Sequence, residues 1–135
     1  MANAAGYKEG YVLSQRTEHV ELVYDFSVDG GAQGSLGLFK AKEAMVVEQC
    51  YLKVKTAGAS GGSATIEVGI SGGDTDALIT ATAGAVANLT SGAVLQQAST
   101  APGLKLAADA VIAIKISTAD LTAGKFVLVM KLAQF

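Results

Sequence analysis

Few side chains in this 135-residue chain are of a type that does chemistry, and their spacing narrows the possibilities further. There is one histidine, His19, and one cysteine, Cys50. A zinc or iron site draws several ligands from histidine, cysteine and carboxylate, so this inventory argues against one, and a lone cysteine closes no intramolecular disulfide. Cys50 lies within an apolar run and reads as a small buried hydrophobe. His19 falls on the polar side of an alternating segment and reads as a solvated side chain rather than a base. Ser14 is near His19 in sequence, but no nucleophile elbow or oxyanion motif accompanies them. Asp74 and Asp76, in Gly72-Gly73-Asp74-Thr75-Asp76, are of a type that binds calcium; the full loop ending in glutamate is absent, and helix capping is the better reading. Asp29, beside Gly30 and Gly31, poses the same choice with the same answer. No glycine string ends in Gly-Lys-Ser or Gly-Lys-Thr, so no phosphate loop is present. These residues predict no catalytic group, no cofactor and no metal, and hence not an enzyme.

The composition describes a packing module. A chain of this length fits one domain and buries about two-thirds of the surface its unfolded form exposes. Half its residues are apolar, much of that share is alanine, and tryptophan is absent. Charged residues make up 16% of the chain, against about a quarter in an average soluble domain. So charge-poor a surface suggests that part of it is covered by another subunit. The net charge of −2 and the scatter of the cations, as in Lys40 and Lys42 or Lys53 and Lys55, argue against nucleic-acid binding. Met1 to Gly10 has no apolar run behind a cationic prelude, as a secretory signal would, and nothing reaches the length of a membrane span.

The elements that position these residues read as strands. Residues 1–17 form an arm without periodicity, and residues 18–135 form one domain. The arm carries Tyr7, Tyr11 and Leu13, which are more adhesive than a solvated tail needs and suit docking on a neighbour; the alternative is a fraying terminus. From His19 to Val28 a half-buried strand alternates, with Val20, Leu22, Tyr24, Phe26 and Val28 facing one way, and ends at Asp29-Gly30-Gly31. A short return follows over Ser35 to Phe39. Met45 to Thr56 turns Val46, Cys50, Leu52 and Val54 inward. Glu48 interrupts that face, marking either a bulge or a lysine pair. Ser63 to Ile70 is expected to return beside it as a hairpin. Within Ser71 to Gly103, Asp74 to Thr80 suits a short helix, and Thr82-Ala83-Gly84-Ala85-Val86 is echoed by Thr90-Ser91-Gly92-Ala93-Val94, as short strands or an irregular crossover.

The final arms, Val111 to Ser117 and Lys125 to Leu132, both alternate and are expected to pair as a hairpin at the centre of a sheet. Ile112, Ile114 and Ile116 share one side of the first, and Phe126, Leu128, Met130 and Leu132 one side of the second. The opposite side of the second carries Lys125, Val127, Val129 and Lys131, more valine than a solvated face would hold. Five or more strands, glycine-rich turns and no sustained helical pattern predict an all-β fold: an antiparallel β-sandwich, jelly-roll-like, with an extended N-terminal arm.

Several stretches resemble small tailed-bacteriophage virion proteins of the head decoration or cement type. They are Val20 to Phe26 followed by Asp29-Gly30-Gly31-Ala32, Ser63-Ala64-Thr65-Ile66-Glu67-Val68-Gly69-Ile70, Asp74-Thr75-Asp76-Ala77-Leu78-Ile79, and Leu121-Thr122-Ala123-Gly124-Lys125-Phe126. The resemblance covers residues 20–132 and lies in layout and turn wording rather than in one diagnostic motif. It implies a homotrimeric jelly-roll subunit, made in the host cytoplasm and seated on the virion's outer surface where major capsid proteins meet, with no catalytic residues to carry over. The contact residues expected are Tyr7, Tyr11, Leu13, Val127 and Val129. Two alternatives stand beside it: a tail or fibre component, and a carbohydrate-binding sandwich, for which Tyr7, Tyr11 and Tyr51 are the exposed aromatic candidates.

Overall fold

The computed structural model describes residues 17–135, so Tyr7, Tyr11 and Leu13 lie outside the described residues. Eight strands follow one another: β1 Thr17–Asp25, β2 Gly34–Lys40, β3 Met45–Ser60, β4 Thr65–Ile70, β5 Val94–Gln96, β6 Leu104–Leu106, β7 Val111–Ser117 and β8 Leu121–Gln134. A single helical turn, α1 Phe26–Asp29, separates β1 from β2. All pairings are antiparallel and form two sheets. In the larger, the order is β1-β8-β3, with β5 and β6 end to end along the far edge of β3; the smaller is β2-β7-β4. The chain thus brings its first strand beside its eighth, its second beside its seventh and its third beside its sixth. This is a long antiparallel ribbon folded over on itself, the jelly-roll arrangement.

The period of two places the core. Phe126, Leu128, Met130 and Leu132 of β8, with Tyr24 of β1 and Cys50, Leu52 and Val54 of β3, turn inward from the larger sheet. Ile66 and Val68 of β4 and Ile112, Ile114 and Ile116 of β7 are buried in the smaller, and all belong to one cluster. Tyr24 stacks on Phe126 with ring centroids 5.4 Å apart. Its hydroxyl donates to the Gly30 carbonyl, so its polar tip is satisfied beside the core.

The expected terminal hairpin does not form. β7 is the middle strand of the small sheet and β8 lies between β1 and β3 in the large one, so their apolar rows face each other across the sandwich. Alternation specifies which side chains turn to the core; it does not specify the partner strand. The link Thr118–Asp120 is too short to be a free loop, and Thr118 adopts a φ of 75° where the chain crosses between sheets. β3 and β4 separate in the same way. Ser60 ends β3 opposite Leu121, and its hydroxyl donates to the Asp120 carbonyl at 2.7 Å, tying the two crossings together.

Three local expectations also change. Asp74 to Thr80 is not a helix: Ala77, Leu78 and Ile79 are consecutively buried, which no single helix face allows, and Ile79 bridges Val68. Val68 N–H donates to the Ile79 carbonyl at 3.0 Å and Ile70 N–H to Asp74 at 2.8 Å, so this stretch satisfies the outer edge of β4. Val28 is 80% exposed because the chain leaves β1 at Asp25, whose carboxylate accepts from the Ser27 N–H at 3.0 Å and caps α1. At Glu48 both expected alternatives occur. The register with β8 shifts between Val47 and Gln49, and the carboxylate lies 3.8 Å from Lys131. Before the shift Met45 and Val47 are buried, not Val46. The two echoed strings take different forms, the first leading into a 3-10 turn at Val86–Asn88 and the second into β5.

Candidate interaction surfaces

The chemistry-bearing residues are dispersed. His19 is exposed on β1, opposite Lys131 in the β1–β8 register. Cys50 is buried in β3, its thiol 3.9 Å from the Leu78 carbonyl, and burial pushes it up to about 11, which leaves an inert thiol at neutral pH. Asp74 and Asp76 lie in the turn after β4. A hydrogen bond with Asp74, then slight desolvation and the charges of Asp74 and Glu67, raise the carboxyl of Asp76. Among the described residues no group of three histidine, cysteine or carboxylate side chains is placed to hold a metal ion. Shallow depressions of about 310 and 290 Å³ lie beside α1 and beside Glu18 and Phe39. In the first, the Ser27 hydroxyl donates to the Asp25 carboxylate at 2.7 Å, within the cap of α1.

What the fold does present is a broad sheet face. Val127 and Val129 point away from the core on β8, and the register places Val23, Val127, Lys53 and Val94 in one row across four strands. The next row is Glu21, Val129, Tyr51 and Gln96. Val127 and Val129 retain only 6% and 3% of their exposure, whereas Val23 and Val94 at the flanks retain 49% each. The two sequence-predicted valines are therefore the floor of this face, and its accessible apolar surface belongs to Val23 and Val94. Sequence reasoning missed that pair because β5 is three residues long and the partners of β1 were not legible. Lys53 and Glu21 stand within these rows and Lys125 and Lys131 at their ends along β8, so the face mixes apolar and charged groups.

The sandwich is also unequal at its sides. The outer edge of β4 is bonded by the 74–86 crossover: Ile66 N–H donates to Gly84 at 2.8 Å and Val86 N–H to Ala64 at 3.0 Å. The far edge of β3 is covered by β5 and β6. On the opposite side, where β1 and β2 approach each other, each has one strand partner among the described residues.

No protein-family model matches the sequence, and no curated protein matches it. Solved structures do resemble it in fold. A chain of the cyanophage Pam1 capsid asymmetric unit superposes with a TM-score of 0.66 at 13% identity, covering 99% of this chain and 98% of that one. A chain of the capsid of Ralstonia phage GP4 gives 0.63 at 18% identity over 95% and 92%. One from the acid-stable capsid of Helicobacter pylori bacteriophage KHP30 gives 0.57 at 12% over 87% and 86%. Because coverage is high in both directions, the likeness is between whole chains of similar size, and this jelly-roll sandwich shares its fold with chains found in the capsids of three bacteriophages.

Proposed function

We propose that the chain is a virion structural protein that binds the outside of a phage head as a homotrimer and cements neighbouring major capsid proteins. The observation that carries this reading is the whole-length likeness to chains of phage capsids. Chains of about this size, separate within a capsid, suit an accessory bound to a shell better than a domain of a larger shell protein. The dispersal of His19, Cys50, Asp74 and Asp76 supports a role in packing rather than in catalysis.

In this reading the face floored by Val127 and Val129, with the arm residues Tyr7, Tyr11 and Leu13, makes the subunit and shell contacts. A ligand that binds only the assembled lattice stabilises it by mass action, by about 2.7 kcal/mol at a free concentration one hundred times Kd. The test adds the purified chain to purified undecorated heads of its phage and follows co-sedimentation and the temperature at which the heads release DNA. Saturable binding and a raised release temperature support the proposal; binding to tails alone, or none, refutes it.

A further inference from the structure

The outer face of the larger sheet carries opposite charge at its two margins, with an exposed apolar side chain at each. We propose that these margins join head to tail. The β1 margin of one copy, with Glu21 and Val23, packs against the β3–β5 margin of the next, with Lys53, Lys55 and Val94, and three such junctions close a ring. This rests on the homotrimer of the proposed function and specifies which surfaces build it.

Burial places the contact at the margins. Val127 and Val129, in the middle of the face, are nearly covered within their own chain, so a partner stacked on the centre would find little apolar surface left to remove from water. Val23 and Val94 are about half exposed and stand at opposite ends of one row across the sheet. A face whose accessible apolar surface is divided between two sides suits a neighbour on each.

Charge fixes which margin meets which. Residues 17–29, which form β1 and α1, hold four carboxylates and no lysine or arginine. Residues 77–108, which contain β5 and β6, hold no carboxylate. Lys53 pairs with Val94 in the β3–β5 register, and the Ser91 hydroxyl donates to the Lys55 carbonyl at 3.2 Å, so both lysines belong to that side. Among the described residues the ion pairs join Lys40 to Asp109, Lys115 to Glu67 and Lys131 to Glu48. Glu21 on one margin and Lys53 and Lys55 on the other thus have no opposite charge within ion-pair distance among those residues. Two like margins brought together about a two-fold axis would set Glu21 against Glu21, or lysine against lysine. Only the unlike margins complement each other. A contact between different surfaces of identical subunits is heterologous and closes as a ring when the rotation from copy to copy divides a full turn. Side chains make this contact, and no backbone pairing along β1 is required.

Sedimentation velocity of the full chain is the test, with wild type expected to run as a trimer. Glu21→Lys, and Lys53→Glu together with Lys55→Glu, each set like charges across every junction and should raise the trimer dissociation constant at least tenfold with unchanged circular dichroism. All three substitutions in one chain bring opposite charges together again and should restore the trimer. An equimolar mixture of the Glu21→Lys chain and the doubly substituted chain should give mixed pairs and no trimer, since a ring of three built from them contains one like-charged junction. Variants that assemble as wild type does, or a triply substituted chain no better assembled than the others, overturn the margin contact and leave the homotrimer standing. A trimer that forms only on heads also overturns the margin contact alone. A wild-type dimer, or a chain monomeric both in solution and on heads, overturns this inference and the homotrimer together.

Discussion

Replacing Gly84 with alanine tests the packing of the crossover that closes the smaller sheet. Gly84 is buried against β4, and a Cβ there would sit 1.8 Å from the Ile66 carbonyl oxygen. That oxygen is backbone within a paired strand, so no side-chain rotation relieves the overlap and the crossover must lift. Lifting it breaks the bonds from Ile66 N–H to Gly84 and from Val86 N–H to Ala64. Each contributes about 1 kcal/mol net, and forced backbone displacement in a packed interior adds about 1–3 kcal/mol. The expected destabilisation is therefore about 3–5 kcal/mol, a large share of the roughly 5–15 kcal/mol typical of a domain. For a chain of this size it corresponds to a fall in Tm of about 10–20 °C. Gly61→Ala is the control, because nothing lies within 4 Å of its Cβ position, and it should stay within about 0.5 kcal/mol of wild type. Urea unfolding of the three proteins is the assay. A Gly84→Ala protein as stable as the control would mean that the crossover does not lie on β4 as described.

Two further outcomes follow from the outer face and the buried thiol. Val23→Asp and Val94→Asp should lower affinity for heads at least tenfold, about 1.4 kcal/mol, while shifting stability by no more than about 1 kcal/mol; wild-type binding by both would remove this face from the contact. Val127→Asp is a poorer probe, since it charges a side chain that is nearly covered. Cys50 has its folded pKa raised to about 11, above the unfolded thiol, so its stabilising effect is complete below the unfolded value and is lost as pH rises through the folded one. Wild-type stability should therefore fall between pH 9 and 11 relative to Cys50→Ala, measured by urea midpoints, and parallel curves would contradict the burial of that thiol.

Much of the fold was legible because alternation is a direct imprint of a two-sided strand. Tyr24, Leu52, Ile114 and Leu128 all turned inward as their parity required. Partner choice was not legible: Ile112 to Ile116 and Phe126 to Leu132 look like two arms of one hairpin, yet they belong to facing sheets, and only the crossing at Thr118 separates the two outcomes. The turn at Asp29-Gly30-Gly31 was readable from residue type and is fixed by contact, since a Cβ on Gly31 would lie 2.0 Å from the Leu121 carbonyl oxygen. Residues 74–80 misled because aspartate and threonine cap helices and also make turns, and the unsatisfied edge of β4, a tertiary feature, selects the turn. Of the surface, Val127 and Val129 were found by excess apolarity, whereas the exposed Val23 and Val94 emerge only once the strands are in register.

Electron cryo-microscopy of the phage particle, or of its heads with the chain added back, tests the central claim most directly. The account predicts this jelly roll as discrete density on the outer surface, in threefold clusters where major capsid proteins meet, and absent from particles that lack the gene. Density for the chain confined to the tail, or a head surface unchanged by its loss, would contradict it.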